Sequence, residues 1–204
     1  MSRFFDGGEF GAVLLTLLVI MDPLGSIPLF LGLTGGRTQR TRARLAGQAV
    51  LVSLLVITLF AIVGQQLLRY LGIGIPALQG AGGLLLLVVA LELLTDRQED
   101  PTQTRDVSVA LVPLGTPLLA GPGAIVATIV FVQQAKGFSD LTAIALGILA
   151  IHLAVYVALR FSVAITRLIK ESGIVLLTRI SGLLLSAIAV QLVAESVRGF
   201  VRGG

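Results

Sequence analysis

Long apolar runs separated by short polar loops constrain this sequence more than any other feature. About 20 apolar residues in a helix cross the roughly 30 Å of hydrocarbon in a bilayer, and windows of that length predict six helical spans. Only 13% of the residues are charged, about half the share in an ordinary soluble domain. The sequence therefore predicts an all-α membrane protein, a single transmembrane domain over residues 1–204. The six spans are approximately 10–33, 45–68, 73–94, 107–133, 141–161 and 174–197.

Lysine and arginine residues determine the predicted orientation of these spans. The loops after the first, third and fifth spans hold nine of them, and the opposite side holds five. The positive-inside rule then places both termini on the periplasmic or extracellular side of the cytoplasmic (inner) membrane. Because the basic residues lie in short loops without interleaved aromatic residues, the net charge of +4 indicates membrane topology and excludes a nucleic-acid-binding protein.

An internal repeat relates the two halves of the chain. Residues 81–92 align with residues 180–191 at a constant offset of 99, which pairs glycine with glycine, leucines with leucines, and Glu92 with Gln191. The first and fourth spans share a second resemblance, between residues 23–29 and residues 113–118. These matches predict repeat A at about 10–94 and repeat B at about 107–197. Three spans per repeat force opposite orientations, so the sequence predicts a 3+3 inverted repeat.

Proline–glycine clusters interrupt the first and fourth predicted spans in mid-membrane. The first covers residues 22–28, and the second covers residues 113–117 with a further Gly-Pro-Gly at 121–123. A proline removes one backbone N–H and clashes with the carbonyl four residues back, so backbone groups lose their helical partners. Lipid cannot satisfy those groups, and each break must therefore pack against protein or line a polar cavity. We expect broken helices 1 and 4 to form a substrate site, although simple packing kinks would leave the same pattern.

Breaks of this kind offer chemistry suited to a small zwitterion. Free N–H groups at half-helix N-termini favour a carboxylate. Unwound carbonyls and hydroxyl side chains favour an ammonium group or a small cation. The residues predicted to bind substrate are Asp22, Gly25, Ser26, Pro28, Thr116, Pro117, Gly121, Pro122 and Gly123.

Polar residues inside apolar spans are costly and are functional candidates by default. Asp22 precedes the first break, where it either takes part in function or N-caps a half-helix that starts at Pro23. Glu92 lies near Arg97 in the sequence, an arrangement typical of an interfacial ion pair. The candidates for ion or proton coupling are Asp22, Glu92, Gln191 and Arg179.

Arg179 and His152 each carry two alternatives. Arg179, a turn inside the sixth span, either extends to the membrane surface or pairs with Asp22 or Glu92. His152 is the sole histidine and has no metal-ligand spacing around it, so we expect a hydrogen bond between packed helices. The chain has no cysteine, which excludes disulfides and zinc–cysteine sites. We predict no metal, cofactor or catalytic residue.

Three strings resemble the MarC family of integral membrane proteins. They are DPLGSIPLFL at residues 22–31, PLGTPLLAGPGAI at residues 113–125, and residues 178–191. The resemblance covers essentially the whole chain and implies six spans with both termini periplasmic, in agreement with the charge distribution. It also implies transport of small neutral amino acids such as glycine and alanine, as described for some members. Gly115 departs from the alanine expected in many relatives and slightly enlarges the second break.

These features favour a secondary transporter of small neutral amino acids that works by alternating access and is coupled to H⁺ or Na⁺. The expected partners are a small amino acid, the coupling ion and the lipid bilayer, and a homo-oligomer is left open. Two alternatives come from other classes: a structural or regulatory membrane protein without transport, and an intramembrane enzyme acting on a lipid-linked substrate. Such an enzyme would have only His152 with Asp22 or Glu92 to work with, so we expect no enzymatic activity.

Overall fold

Helices make up nearly all of the chain that the structure, a computed structural model, describes, namely residues 6–95 and 119–202. No strand occurs in these two segments. The helices are α1 (Gly7–Met21), α2 (Ser26–Leu33), α3 (Gln39–Tyr70), α4 (Ile75–Thr95), α5 (Pro122–Gln134), α6 (Phe138–Arg160) and α7 (Ser162–Val201). Lys170 has non-helical backbone angles inside α7, so that the apolar part of this helix is Ser172–Val201.

Short polar residues begin two of these helices. Asp6 N-caps α1, and its side chain accepts hydrogen bonds from the backbone N–H groups of Gly8 and Glu9. Thr38 N-caps α3, and its hydroxyl accepts from the backbone N–H of Thr41. Both caps satisfy N–H groups that have no partner inside the helix. The two caps therefore define the first residues of α1 and α3.

Within residues 6–95 and 119–202, four helices are long and apolar enough to cross a membrane, namely α3, α4, α6 and Ser172–Val201, and the bent pair α1–α2 makes a fifth candidate. The predicted class, an all-α membrane protein, is confirmed. Helix α5 has 13 residues and covers only the end of the predicted fourth span. The rest of that span, including the break at 113–117, lies outside the described residues. The count of six spans and the inverted repeat stay predictions.

The predicted break in the first span is present. Helix α1 ends at Met21, Asp22 adopts the left-handed conformation with φ 35° and ψ 74°, and α2 begins at Ser26. The two helices are bent by 48°. The alternative that Asp22 N-caps a helix starting at Pro23 is wrong, because Gly25 holds the N-cap position of α2. A proline disfavours the right-handed helical conformation at the residue before it, so Asp22 ends the preceding helix instead.

Helices α4 and α7 form the most extensive helix pair of the described bundle. A Cβ atom added to Gly83 would lie 2.7 Å from the carbonyl oxygen of Ala189, and one added to Gly182 would lie 3.3 Å from that of Ala90. Both glycines therefore allow the two backbones to approach closely, which is how helices commonly associate in membranes. The contacts are reciprocal, since Gly83 and Ala90 lie 99 residues before Gly182 and Ala189.

The small core between these two helices repeats the same relation. It contains four buried residues, Leu86 and Ala90 from α4 and Leu185 and Ala189 from α7. Each α4 residue again has its partner 99 positions later in α7. The alignment seen in the sequence thus corresponds to two faces that pack against each other.

Helices α3 and α6 meet through a buried polar contact. Ser53 Oγ lies 3.1 Å from His152 Nε2, and His152 Nδ1 lies 2.7 Å from the carbonyl oxygen of Ile148. A carbonyl only accepts, so Nδ1 donates, and in a neutral imidazole Nε2 then accepts from the Ser53 hydroxyl. The expected hydrogen bond between packed helices at His152 is confirmed.

We predict that Gly83→Ala destabilises the protein by about 1–3 kcal/mol, the usual cost of overpacking. The added methyl group would meet backbone, which cannot move without separating α4 from α7. The measurement is unfolding in mixed micelles. Gly11→Ala in α1 is the matched control, since nothing lies within 4 Å of its Cβ position, and it should be neutral or stabilising by up to about 1 kcal/mol. Equal destabilisation of both variants would contradict the packing described for α4 and α7.

Candidate functional site

Several backbone carbonyls at the first break accept hydrogen bonds from the chain itself. The hydroxyl of Ser26 donates to the carbonyl oxygen of Asp22 at 2.9 Å, and the backbone N–H of Ser26 donates to the same oxygen at 3.0 Å. The backbone N–H of Ile27 donates to the carbonyl of Leu24 at 3.1 Å. Ser26 is buried. The predicted role of Ser26 in substrate binding is untested, but its hydroxyl already serves the break.

The Asp22 side chain is buried at this break, with only 7% of its surface exposed. Its Oδ1 atom accepts a hydrogen bond from the Ser181 hydroxyl of α7 at 3.3 Å. The backbone N–H of Gly25 lies near the carboxylate, but no donor in the described residues meets the buried Oδ2 atom with normal hydrogen-bond geometry. A buried carboxylate with an unsatisfied oxygen is costly. A group that brings a donor or a positive charge would satisfy this oxygen.

Gly25 and Thr178 complete the surroundings of this carboxylate. A Cβ atom on Gly25 would overlap the Asp22 carboxylate, and it would lie 2.9 Å from Thr178 Oγ1. Thr178 is buried and lies one helical turn before Ser181 on α7. The absence of a side chain at position 25 thus allows the carboxylate to lie against α7 and its two hydroxyl residues.

A cavity of about 470 Å³ adjoins Asp22. Asp22 and Ser181 are the polar side chains in its lining, and the other lining residues are apolar side chains from α1, the turn after Asp22, α6 and α7. Three of them, Leu18, Ile180 and Leu184, are 38–50% exposed at the bundle surface. The cavity is therefore an apolar recess between three helices with one carboxylate and one hydroxyl in its wall.

The structure places the predicted residues of the first span unequally. Asp22 lines the cavity, while Gly25 and Ser26 are buried in the turn beside it. Pro28, in the first turn of α2, is exposed and is not part of the lining. The break therefore offers Asp22 directly, and the glycine and serine support its position.

The predicted residues of the fourth span lie partly outside the described residues. Thr116 and Pro117 are among those outside. Gly121 N-caps α5 in an extended conformation, and Pro122 is the first residue of that helix. A Cβ atom on Gly123 would overlap Leu86 and lie 3.6 Å from Ile20 Cγ2.

Ile20 precedes Asp22 by two residues, so the N-terminus of α5 packs beside the end of α1. The same proximity appears in the largest core cluster, which contains Met21 together with Ala120 and Ala124. No α5 residue lines the cavity at Asp22. The two regions are neighbours, but they do not share one described cavity.

The candidates for coupling other than Asp22 lie on exposed surfaces of α4 and α7. Glu92, Arg179 and Gln191 are all exposed. The Gln191 amide donates to Glu195 Oε1 at 2.9 Å. The pairing of Arg179 with Asp22 or Glu92 is not observed within residues 6–95 and 119–202, and Arg97, the expected partner of Glu92, lies outside them. Of the four candidates, Asp22 is the one that is buried beside the cavity.

Sequence reasoning assigned no role to Thr178 and Ser181. Both lie in the third MarC-like string, and their spacing of three residues places them on one face of α7. That spacing of hydroxyl residues in a leucine-rich helix was the available signal. A second missed contact joins α4 and α7 further along, where the Gln79 amide donates to Glu195 Oε2 at 3.1 Å.

We predict that the cavity at Asp22 admits water. The chain has no cysteine, so Ala154→Cys gives a single thiol in the cavity wall and leaves the hydrogen bond from Ser181 to Asp22 in place. This thiol should react readily with a small charged thiosulfonate, because thiols ionise only where water reaches them. Leu85→Cys is the control, since Leu85 is 44% exposed on α4, a helix apolar enough to cross a membrane, and does not line the cavity. The measurement is the rate of modification in membranes. Equal slow rates for the two thiols would contradict a hydrated cavity.

Comparison with known proteins shows extended similarity to one family. Residues 8–201 match the family model described as MarC family integral membrane protein. A UPF0056 membrane protein of Methanocaldococcus jannaschii is 34% identical over 191 residues, which cover 90% of this chain and 93% of the relative. Another from Aquifex aeolicus is 32% identical over 95% of this chain and 96% of the relative.

A further relative, the UPF0056 membrane protein YhcE of Escherichia coli, is 29% identical over 99% of this chain and 98% of its own. No solved structure matches the chain significantly. The matches extend from α1 to the end of α7 and include both the break at Asp22 and the hydroxyl residues of α7. The chain belongs to the MarC family of integral membrane proteins.

Proposed function

We propose that this protein is a secondary transporter of small neutral amino acids, of the glycine and alanine class, across the cytoplasmic membrane. The observation that carries the proposal is the buried Asp22 carboxylate at the break of a membrane-spanning helix, beside a cavity and with Oδ2 unsatisfied. Ionisable residues at membrane depth mark substrate and ion pathways, and broken helices mark substrate sites in transporters.

The ammonium group of the substrate binds Asp22. An ammonium group brings three donors and a positive charge, which is what the buried carboxylate lacks. The hydroxyls of Ser181 and Thr178 lie on the same side and add polar contacts. Apolar lining residues then favour a side chain no more polar than a methyl group, and glycine and alanine satisfy that condition.

The carboxylate of the substrate binds the N-terminus of α5. Gly121 is the N-cap of this helix, and Pro122, its first residue, has no backbone N–H. The N–H groups of Gly123 and Ala124 are therefore the ones without an intrahelical partner that would meet an anion. Its position beside Ile20 brings it close to the break. A substrate bound between α1 and α5 would thus bridge the Asp22 carboxylate and the N-terminus of α5. Thr116 and Pro117 remain predicted substrate-binding residues of the second break.

A 3+3 inverted repeat provides the alternating access. Two residues related by a twofold axis contact each other only if they lie near that axis. Ser53 and His152 are related by the offset of 99, and their side-chain atoms Oγ and Nε2 lie 3.1 Å apart, which supports an axis that passes between α3 and α6. The reciprocal glycine contacts of α4 and α7 support the same axis. A twofold axis between the repeats would exchange α1 with α5 and α3 with α6. The contact of α1 with α6 then corresponds to the contact of α5 with α3, and both contacts are present.

Transport is coupled to H⁺ or Na⁺ at Asp22. A zwitterion adds no net charge to the site, so Asp22 keeps its negative charge after binding unless a cation accompanies the substrate. Returning an uncompensated carboxylate through the membrane interior is costly. With the arginine-rich loops in the cytoplasm, both termini lie on the periplasmic side.

We predict that Asp22→Asn folds and inserts normally but lowers counterflow of labelled alanine and glycine in proteoliposomes by roughly tenfold or more, because a charge-assisted hydrogen bond to the ammonium group is lost. The remaining transport should no longer depend on the pH or Na⁺ gradient. Asp6→Asn, at the exposed start of α1, is the matched control and should transport as the wild type does, because asparagine also caps a helix.

Two results would overturn the proposal. One is wild-type protein that moves neither amino acid under any H⁺ or Na⁺ gradient and is not stabilised by either of them. The other is an Asp22→Asn variant with unchanged transport at every pH, which would leave the carboxylate with a structural role only. The first result favours a membrane protein without transport activity.

A further inference from the structure

A second cavity, which shares no lining residue with the one at Asp22, lies where α3 begins and α6 ends. It has a volume of about 320 Å³ and is formed by the first turn of α3 and the junction between α6 and α7. Three arginines line it, Arg42, Arg160 and Arg167, together with Gln39. We call this group the arginine pocket. It belongs to the side of the bundle with more Lys and Arg residues, which the positive-inside rule places in the cytoplasm.

Two of the three guanidinium groups are held in place. Arg42 Nε donates to the carbonyl oxygen of Thr34 at 3.3 Å, so its two terminal nitrogens stay available. The guanidinium of Arg160 lies 5.5 Å from the centre of the Phe161 ring, a distance typical of a cation–π contact. An arginine has five N–H donors in a planar fork, and these contacts use few of them. The pocket therefore presents oriented donors that are free for an acceptor.

The start of α7 forms one wall of the same pocket. Ser162, Val163 and Ala164 line it and form the first turn of the helix. Only Phe161 separates α7 from α6, and helical hydrogen bonds run through this junction, from the Phe161 N–H to the Val157 carbonyl and from the Ile165 N–H to the Phe161 carbonyl. An anion in the pocket would therefore contact guanidinium donors.

Within residues 6–95 and 119–202, and leaving aside the undescribed side chain of Glu171, no carboxylate lines the arginine pocket or forms an ion pair with its three arginines. Three positive charges around one recess repel each other unless an anion joins them. The planar forks match the oxygens of a phosphate group in bidentate geometry. The arginine pocket therefore suits an anion such as a phosphate group better than a neutral solute.

We propose that the arginine pocket binds a phosphate group, supplied either by the headgroup of an anionic lipid or by a soluble phosphate compound. The pocket lies where helices leave the apolar part of the bundle, beside Phe161 and Val163, which are 52% and 37% exposed. That position is at the level of lipid headgroups, where basic pockets between helices recognise anionic lipids. This site does not depend on the proposed transport function, because it shares no residue with the cavity at Asp22.

The test compares two double variants of the full-length protein. Arg42→Gln with Arg167→Gln removes two charges from the pocket. Arg40→Gln with Arg44→Gln removes the same charge from exposed positions of α3 outside it. Native mass spectrometry measures retention of phosphatidylglycerol against phosphatidylcholine, and thermal unfolding of lipid-depleted protein measures stabilisation by inorganic phosphate. Arg167→Gln alone serves if loss of the Arg42 contact to Thr34 impairs folding.

We expect wild type and the Arg40/Arg44 variant to bind the anion, and the Arg42/Arg167 variant to bind it roughly tenfold more weakly. Preference for phosphatidylglycerol without an effect of inorganic phosphate identifies a lipid headgroup as the source. Stabilisation by inorganic phosphate without lipid preference identifies a soluble one. Either result supports the site. Equal loss in both double variants, or no binding of either probe by the wild type, overturns it.

Discussion

Every backbone N–H and C=O group that a helix break frees inside a bilayer needs a partner from the protein, and the rest of this structure depends on how the first span meets that need. Ser26 satisfies the Asp22 carbonyl through both its hydroxyl and its backbone N–H. Because the turn is closed in this way, the Asp22 side chain does not have to cap a helix. It lies instead against Gly25 and Ser181, with one oxygen unsatisfied. The candidate site is thus a consequence of how the break is closed.

The α4–α7 pair supplies the wall on which this site is built. Ser181 and Gly182 are neighbours on α7, and they serve different partners: Gly182 packs against the backbone of α4, while Ser181 bonds to Asp22. Any movement of α7 relative to α1 would therefore change the contact to Asp22 and leave the close packing with α4 intact. Helix α4 belongs to the predicted repeat A and α7 to the predicted repeat B. Under the proposed alternating access, this closely packed pair is suited to keep the two repeats in contact while other helices move.

Local composition predicted much of this fold. Hydropathy located the spans, because the apolar length that a helix needs to cross a bilayer is visible in the local sequence. Five of the six predicted spans correspond to helices of sufficient length or to the bent pair. Proline and glycine located the first break. The interaction of His152 was also foreseen, since a lone buried histidine needs a hydrogen-bond partner. The left-handed conformation of Asp22 was missed, because Asp-Pro is compatible both with a helix start and with a helix end.

The sequence by itself determined that the chain is an all-α membrane protein with an interrupted first span, because apolar length and proline act through local physics. Tertiary structure alone decided which groups meet at that interruption. Asp22 and Ser181 are 159 residues apart, and their contact depends on how α1 packs beside α7. The same is true of the arginine pocket, whose charges come from α3, α6 and α7. A buried carboxylate at a broken helix is visible in the sequence, but the hydroxyls and the cavity around it exist only once the helices are packed.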